Sequence, residues 1–147
     1  MQKLHFPQPD LRIQLVNESP QVWDVVRKKW VTLTPEEWVR QHLIHFLNNQ
    51  RQWPFSLMAV EKSITFNGMQ RRADVVLYNR TMKPVLIAEC KAPEVPIVQA
   101  TLDQAAVYNR VLGVDFLLLT NGLHTSCCQF TDAAAGYEWL SDVPFGE

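Results

Sequence analysis

Four consecutive apolar residues, Val85-Leu86-Ile87-Ala88, run straight into Glu89-Cys90-Lys91 and then Pro93. Successive side chains of a strand point to opposite faces, so a strand that is apolar at every position is buried on both sides. The sheet that holds it needs cover above and below, which limits the fold to a layered α/β or α+β arrangement. Yet this strand ends in a carboxylate and an ammonium. Burying either one alone costs several kcal/mol unless it is paired or bound to a metal. The stretch therefore constrains the architecture and marks a place where charge has a use.

The other elements follow from local signals. The first thirty residues read as a small β unit, with Leu11 to Val16, a turn at Asn17-Glu18-Ser19-Pro20, and short strands through Trp30 to Leu33. Thr34-Pro35-Glu36-Glu37 is a helix start, with Thr34 as N-cap and acids in the first turn. Val39, Leu43, Phe46 and Leu47 continue at helical spacing to Asn48-Asn49. Met58 to Phe66, Ala73 to Tyr78 and Val85 to Lys91 read as strands, with an Asn67-Gly68 turn between the first two. Residues 98–112 are expected to be helical, closed by Gly113. Val114 to Thr120 is a further strand, followed by an Asn121-Gly122 turn and weaker strands near Cys128 and Tyr137. The reading is a mixed sheet flanked by helices, in the order α-β-β-β-α-β-β after an N-terminal hairpin.

At 147 residues the chain is expected to be one domain, with a β unit at 1–33, a core at 34–123 and C-terminal strands at 124–147. No apolar run is long enough to span a bilayer, and MQKLHFPQPD lacks the apolar core of a signal peptide. Three cysteines, two of them the adjacent Cys127 and Cys128, form no disulfide framework. A cytoplasmic location is expected. Net charge is only −1, but residues 1–91 carry 13 basic against 8 acidic side chains and residues 92–147 carry 1 against 7. That asymmetry permits a basic face, or simply an uneven solvated surface.

Alternation places Glu89 and Lys91 on one face beside Ile87, with Ala88 and Cys90 on the other. Asp74 opens the preceding strand, close enough to converge with them at one sheet end. Two carboxylates and the Cys90 backbone carbonyl suit Mg²⁺, which takes a few protein oxygens and keeps its waters, with Mn²⁺ as a substitute. Such a cation polarises a phosphodiester and acidifies a bound water, and a lysine offsets the charge that develops on phosphorus. The alternative is an ion-paired strand end that shields the sheet.

These residues resemble the D…E-x-K motif of the PD-(D/E)XK nuclease superfamily. The longer string RADVVLY…PVLIAECKAP is similar to the N-terminal nuclease domain of type I restriction enzyme R subunits. Gln104-Ala-Ala-Val-Tyr108 fits that branch's Q-x-x-x-Y motif, Thr120-Asn121-Gly122 its T-N-G turn, and Glu36 to Arg40 an E-x-x-x-R helix start. Five ordered matches across residues 34–123 are far more specific than D…E-x-K alone.

The resemblance implies a restriction-endonuclease-like αβββαβ core and Mg²⁺-dependent hydrolysis of DNA. Asp74, Glu89 and the Cys90 carbonyl would hold the metal, Lys91 and Gln104 would serve the attacking water, and Glu36 would give outer support. Arg71, Arg72, Arg40 and Tyr108 would contact nucleic acid. Glu36 is expected to face inward with Val39 and Leu43, and Glu37 to sit nearer solvent. His42 and His45 are expected on a polar helix face, and the five tryptophans in packing. The sequence holds no G-x-x-x-x-G-K-[ST] loop, so motor-driven cleavage would need a separate translocase or restriction–modification subunit. A homodimer and a non-catalytic DNA-binding or docking module are the other expectations.

Overall fold

The computed structural model describes residues 1–66, 68–132 and 136–146, and the Phe66 side chain is not among what it describes. Asn67 of the expected turn lies outside them, while Gly68 takes φ +75° as a turn residue does.

The N-terminal unit is an antiparallel three-stranded sheet, β1 (Ile13–Val16), β2 (Ser19–Asp24) and β3 (Lys29–Thr32). Asn17 and Glu18, both at positive φ, make the tight turn between β1 and β2. Helix α1 (Pro35–Arg51) starts where expected: the Thr34 side chain accepts the Glu37 N–H, and Pro35 fills the first position. The second sheet has the order β4 (Met58–Phe66), β5 (Met69–Tyr78), β6 (Pro84–Cys90), β7 (Phe116–Thr120), β8 (Thr125–Phe130) and β9 (Tyr137–Trp139). Among the described residues only β6 and β7 run parallel, and α2 (Gln99–Arg110) makes that crossover. The expected α+β mixed sheet is what the chain forms.

The two helices cover opposite faces. Val39, Leu43, Ile44 and Leu47 of α1 pack on Val75, Leu77, Leu86, Ala88 and Leu118. Ala106 of α2 packs on Leu117 and Cys128, while Ile87 joins Leu112 and Val114 on the same side. Leu86, Ile87 and Ala88 are all buried, as their unbroken apolar run required. Gly122 turns the chain after β7 at φ +85°, and a Cβ there would lie 2.7 Å from the Leu4 side chain, which the N-terminal segment packs against it. Among the described residues no helix is long and apolar enough to cross a membrane.

β5 is longer than its sequence signal. It begins at Met69 rather than Ala73, so Asp74 sits inside the strand and does not open it. β6 pairs with β5 only from Val75 to Tyr78, so β4 and β5 run on beyond β6 as a two-stranded arm, paired from Lys62 with Ala73 to Phe66 with Met69.

Candidate active site

β6 delivers Glu89 and Lys91 to the open end of the sheet, and Asp74 meets them from β5. The Cys90 N–H does not join the β5 ladder. It donates to Asp74 Oδ2 at 2.7 Å, so the carboxylate caps the peptide between Glu89 and Cys90. A residue's N–H and C=O share one side of a strand, which turns the Cys90 carbonyl to the Asp74 side as well. The Lys91 N–H is held by the Thr120 carbonyl, fixing the backbone just after the strand. Cys90 itself is buried, and burial pushes its thiol well above the ordinary range, so it is a small core residue as expected.

The carboxylates have different neighbours. Asp74 Oδ1 accepts from Arg40 Nη1 at 3.3 Å, on the α1 side. Glu89 Oε1 accepts from Asn109 Nδ2 at 3.0 Å, on the α2 side, and that amide also donates to the Ala105 carbonyl. Glu89 is half-buried, and among the described residues a neutral amide is its only polar partner. Lys91, also half-buried, forms no ion pair among the described residues. The alternative of an ion pair between Glu89 and Lys91 is therefore not formed among the described residues.

The opposite holds one layer away. Asp24, fully buried, takes Arg27 Nε and Gln41 Nε2, and Arg27 Nη2 donates to Glu37 Oε1 at 2.9 Å. Glu37 takes Arg40 through both oxygens at 2.9 and 3.0 Å. Glu61 accepts from Arg40 at 3.3 Å and from Arg72 at 3.3 Å, with Arg27 at 3.4 Å. Burial alone would raise the Glu37 carboxyl, but Arg40, Gln41 and Arg27 hold it below its ordinary value. Every buried charge in this row has a partner, and it ends at Asp74.

Three expectations for α1 are corrected here. Glu37, at 4% exposure, is the inward acid, because the N-terminal sheet covers the helix flank that spacing against the core alone left open. Glu36 is exposed, although burial of its carboxyl, with the charge of Asp74, raises its pKa, so it stands near Asp74. Arg40 is buried at 4% and committed to carboxylates, which removes it as a phosphate contact. His42 is buried and its Nδ1 meets the Trp38 carbonyl, while half-buried His45 stacks edge-on against Phe55, so neither forms a polar face.

On α2, Gln104 is exposed and its side chain has no hydrogen bond among the described residues. Tyr108 is 57% exposed with the Arg71 guanidinium 3.7 Å over its ring, and Arg71 also donates to the Tyr108 carbonyl. The motif's polar pair thus lies on the outer face, and Asn109, on the inner face, is what reaches Glu89. Asn121 of the T-N-G turn is structural, tying Val95, Leu123 and His124 together. Sequence reasoning missed Asn109, Glu61 and Arg27. A lone Asn following Ala105-Ala106 on a packed helix face is the one signal that was there to find.

The matched family is described as "Type I restriction enzyme R protein N terminus (HSDR_N)", over residues 35–144. The chain belongs to this family. A solved chain described as a fragment of an HsdR subunit of a type I restriction enzyme from Vibrio vulnificus YJ016 is 25% identical, with a TM-score of 0.52. The match covers 77% of this chain and 24% of that one. The comparison with curated proteins finds no match. β1 to β3, with Asp24 and Arg27, lie before the matched residues of the family.

Proposed function

We propose that this domain hydrolyses DNA phosphodiester bonds as a Mg²⁺-dependent endonuclease, Mn²⁺ substituting. One observation carries the reading. At a single sheet end Glu89 has only a neutral amide for company, Lys91 has no ion pair among the described residues, and Asp74 caps the peptide beside them. Asp24, Glu36, Glu37, Glu61, Asp74 and Glu89 against Arg27, Arg40, Arg72 and Lys91 leave the region at a formal −2, the charge a divalent cation removes.

Among the described residues no three His, Cys, Asp or Glu side chains converge as a metal cage. Mg²⁺ does not need one, because it keeps several waters and rests on one or two carboxylates. Asp74, Glu89 and the Cys90 carbonyl fit that role. When bound, the cation would polarise the phosphodiester and lower the pKa of a water. Lys91 then offsets charge developing on the phosphoryl oxygens and orients the attacking water. Glu36 gives outer support through its charge. The arm carries Lys62, Arg71 and Arg72 to the DNA backbone, with Tyr108 beneath Arg71. The family membership supports a restriction–modification setting, in which a translocase or another subunit is the expected partner.

The second reading is a non-catalytic DNA-binding or docking module. Its specific support is that Asp74 and Glu89 are engaged by opposite layers, Arg40 and Asn109. The deciding assay is nicking of plasmid and digestion of linear strands with Mg²⁺ or Mn²⁺, beside calorimetric metal titration. Lys91→Ala should lower cleavage by about 100-fold while metal still binds. Metal binding without any cleavage by the unaltered protein selects the second reading. Undiminished cleavage by Lys91→Ala refutes the role given to that lysine.

A further inference from the structure

We infer that Glu61 is a positioning residue of this site, through its backbone and its carboxylate; the inference rests on the nuclease reading and adds a residue to it. Glu61 lies inside β4 yet has φ +52°, a left-handed conformation that a side chain rarely takes in a strand. The register explains where the strain acts. Val60 pairs with Val75 and Lys62 with Ala73, so the residue facing Glu61 is Asp74, and that one pair is missing from the ladder. Both strands exchange faces at this point. Met58, Val60, Val75 and Leu77 belong to the α1-side core, while Ile64 and Ala73, of the same parity, belong to the other. Strict alternation would send Asp74 to the α2 side with Val76. The kink brings it instead to Arg40 and to the Cys90 N–H.

The carboxylate has a second effect. Arg40 faces Glu37, Glu61 and Asp74 together, so Glu61 draws part of the guanidinium's charge from Asp74 and leaves that carboxylate more open to a cation. Its own 41% exposure and its contact with Arg72 place it where the DNA-facing arm joins the site.

Two variants separate the effects. Glu61→Gln keeps the length and removes the charge; Mn²⁺ affinity by calorimetry should fall about tenfold with little change in melting temperature, and Glu61→Asp should restore part of it. Glu61→Val disfavours the left-handed backbone; its crystal structure should show Asp74 turned from Arg40 and the Cys90 N–H, with Mn²⁺ affinity lower still. Wild-type affinity in both variants, or an Asp74 unmoved in Glu61→Val, overturns the inference. If the unaltered protein takes up no Mn²⁺, the nuclease reading fails instead, and the Glu61→Val structure still decides whether the kink positions Asp74.

Discussion

Asn109 is 2% exposed, and its amide spans the gap between the α2 backbone and Glu89. Glu89 is half-buried and its one polar partner among the described residues is neutral, which leaves acceptor capacity that a cation would fill, so the amide's task is to aim the side chain and not to neutralise it. Asn109→Leu should therefore free Glu89 to rotate, weakening Mn²⁺ binding by several-fold while DNA binding by the arm is retained. Asn109→Asp loses the aiming donor as well but adds a negative charge, so its Mn²⁺ affinity should lie above that of Asn109→Leu. Calorimetric titration of both variants checks this, and equal affinities across wild type, Leu and Asp would exclude an aiming role. Such residues are hard to read beforehand. Asp74, Glu89 and Lys91 stood out because charge at the end of an apolar strand is costly anywhere. Asn109 and Glu61 look ordinary in sequence, one being a polar helix residue and the other an acid in a half-exposed strand. The roles of both come from what faces them, which only the register supplies.

At the scale of elements, the boundaries of α1, β4 and β6 were legible because each is set by local chemistry: the Thr34 cap, the alternation from Met58, and Pro93 after the strand. The length of β5 was not, because Met69 to Arg72 gain their strand geometry from β4 alone and bury little. The face of α1 was misread at Glu36 and Glu37 for a related reason. A helical wheel drawn against one core cannot anticipate a second sheet, and Arg27, in the turn between β2 and β3, draws Glu37 inward together with Gln41. The arm that β4 and β5 form beyond β6 carries a prediction of its own. Arg71 over Tyr108 and Arg72 beside Glu61 sit at its base, and each phosphate they neutralise releases counterions. DNA affinity should fall steeply with salt, and replacing both arginines by Ala should reduce the slope of log K against log salt by about 2. Binding isotherms at four salt concentrations, with Ca²⁺ present to prevent cleavage, test it. An unchanged slope would move the DNA to another face.

For the whole molecule, the buried charge row and the buried histidines make stability depend on pH in two separate windows. His42 is 1% exposed, its Nδ1–H donates to the Trp38 carbonyl, and its Nε2 has no partner among the described residues. Burial, then the neighbouring His45, lowers its pKa from 6.5, and burial lowers that of His45 as well. The unfolded chain therefore takes up these protons first. Stability is level between about pH 6.5 and 8 and falls as pH drops below that range, by at most ~1.4 kcal/mol per pH unit for each histidine. The carboxylates act lower. Burial opposes ionisation of Asp24 and Glu37, yet their arginine and Gln41 partners hold both below the ordinary values of 3.8 and 4.5. Their contribution is fully present above those values and is lost as pH falls through the depressed ones. Urea unfolding at pH 8, 7, 6, 5, 4 and 3 should thus show falling stability only below 6.5, with a second decline under about pH 4. In His42→Gln the upper slope should shrink by up to one proton's worth, whatever the variant's stability at pH 8, while the lower decline stays. A slope between pH 6.5 and 5 equal to wild type would show that His42 takes up its proton equally in the folded and the unfolded chain, and the protonated Nε2 would then need an acceptor.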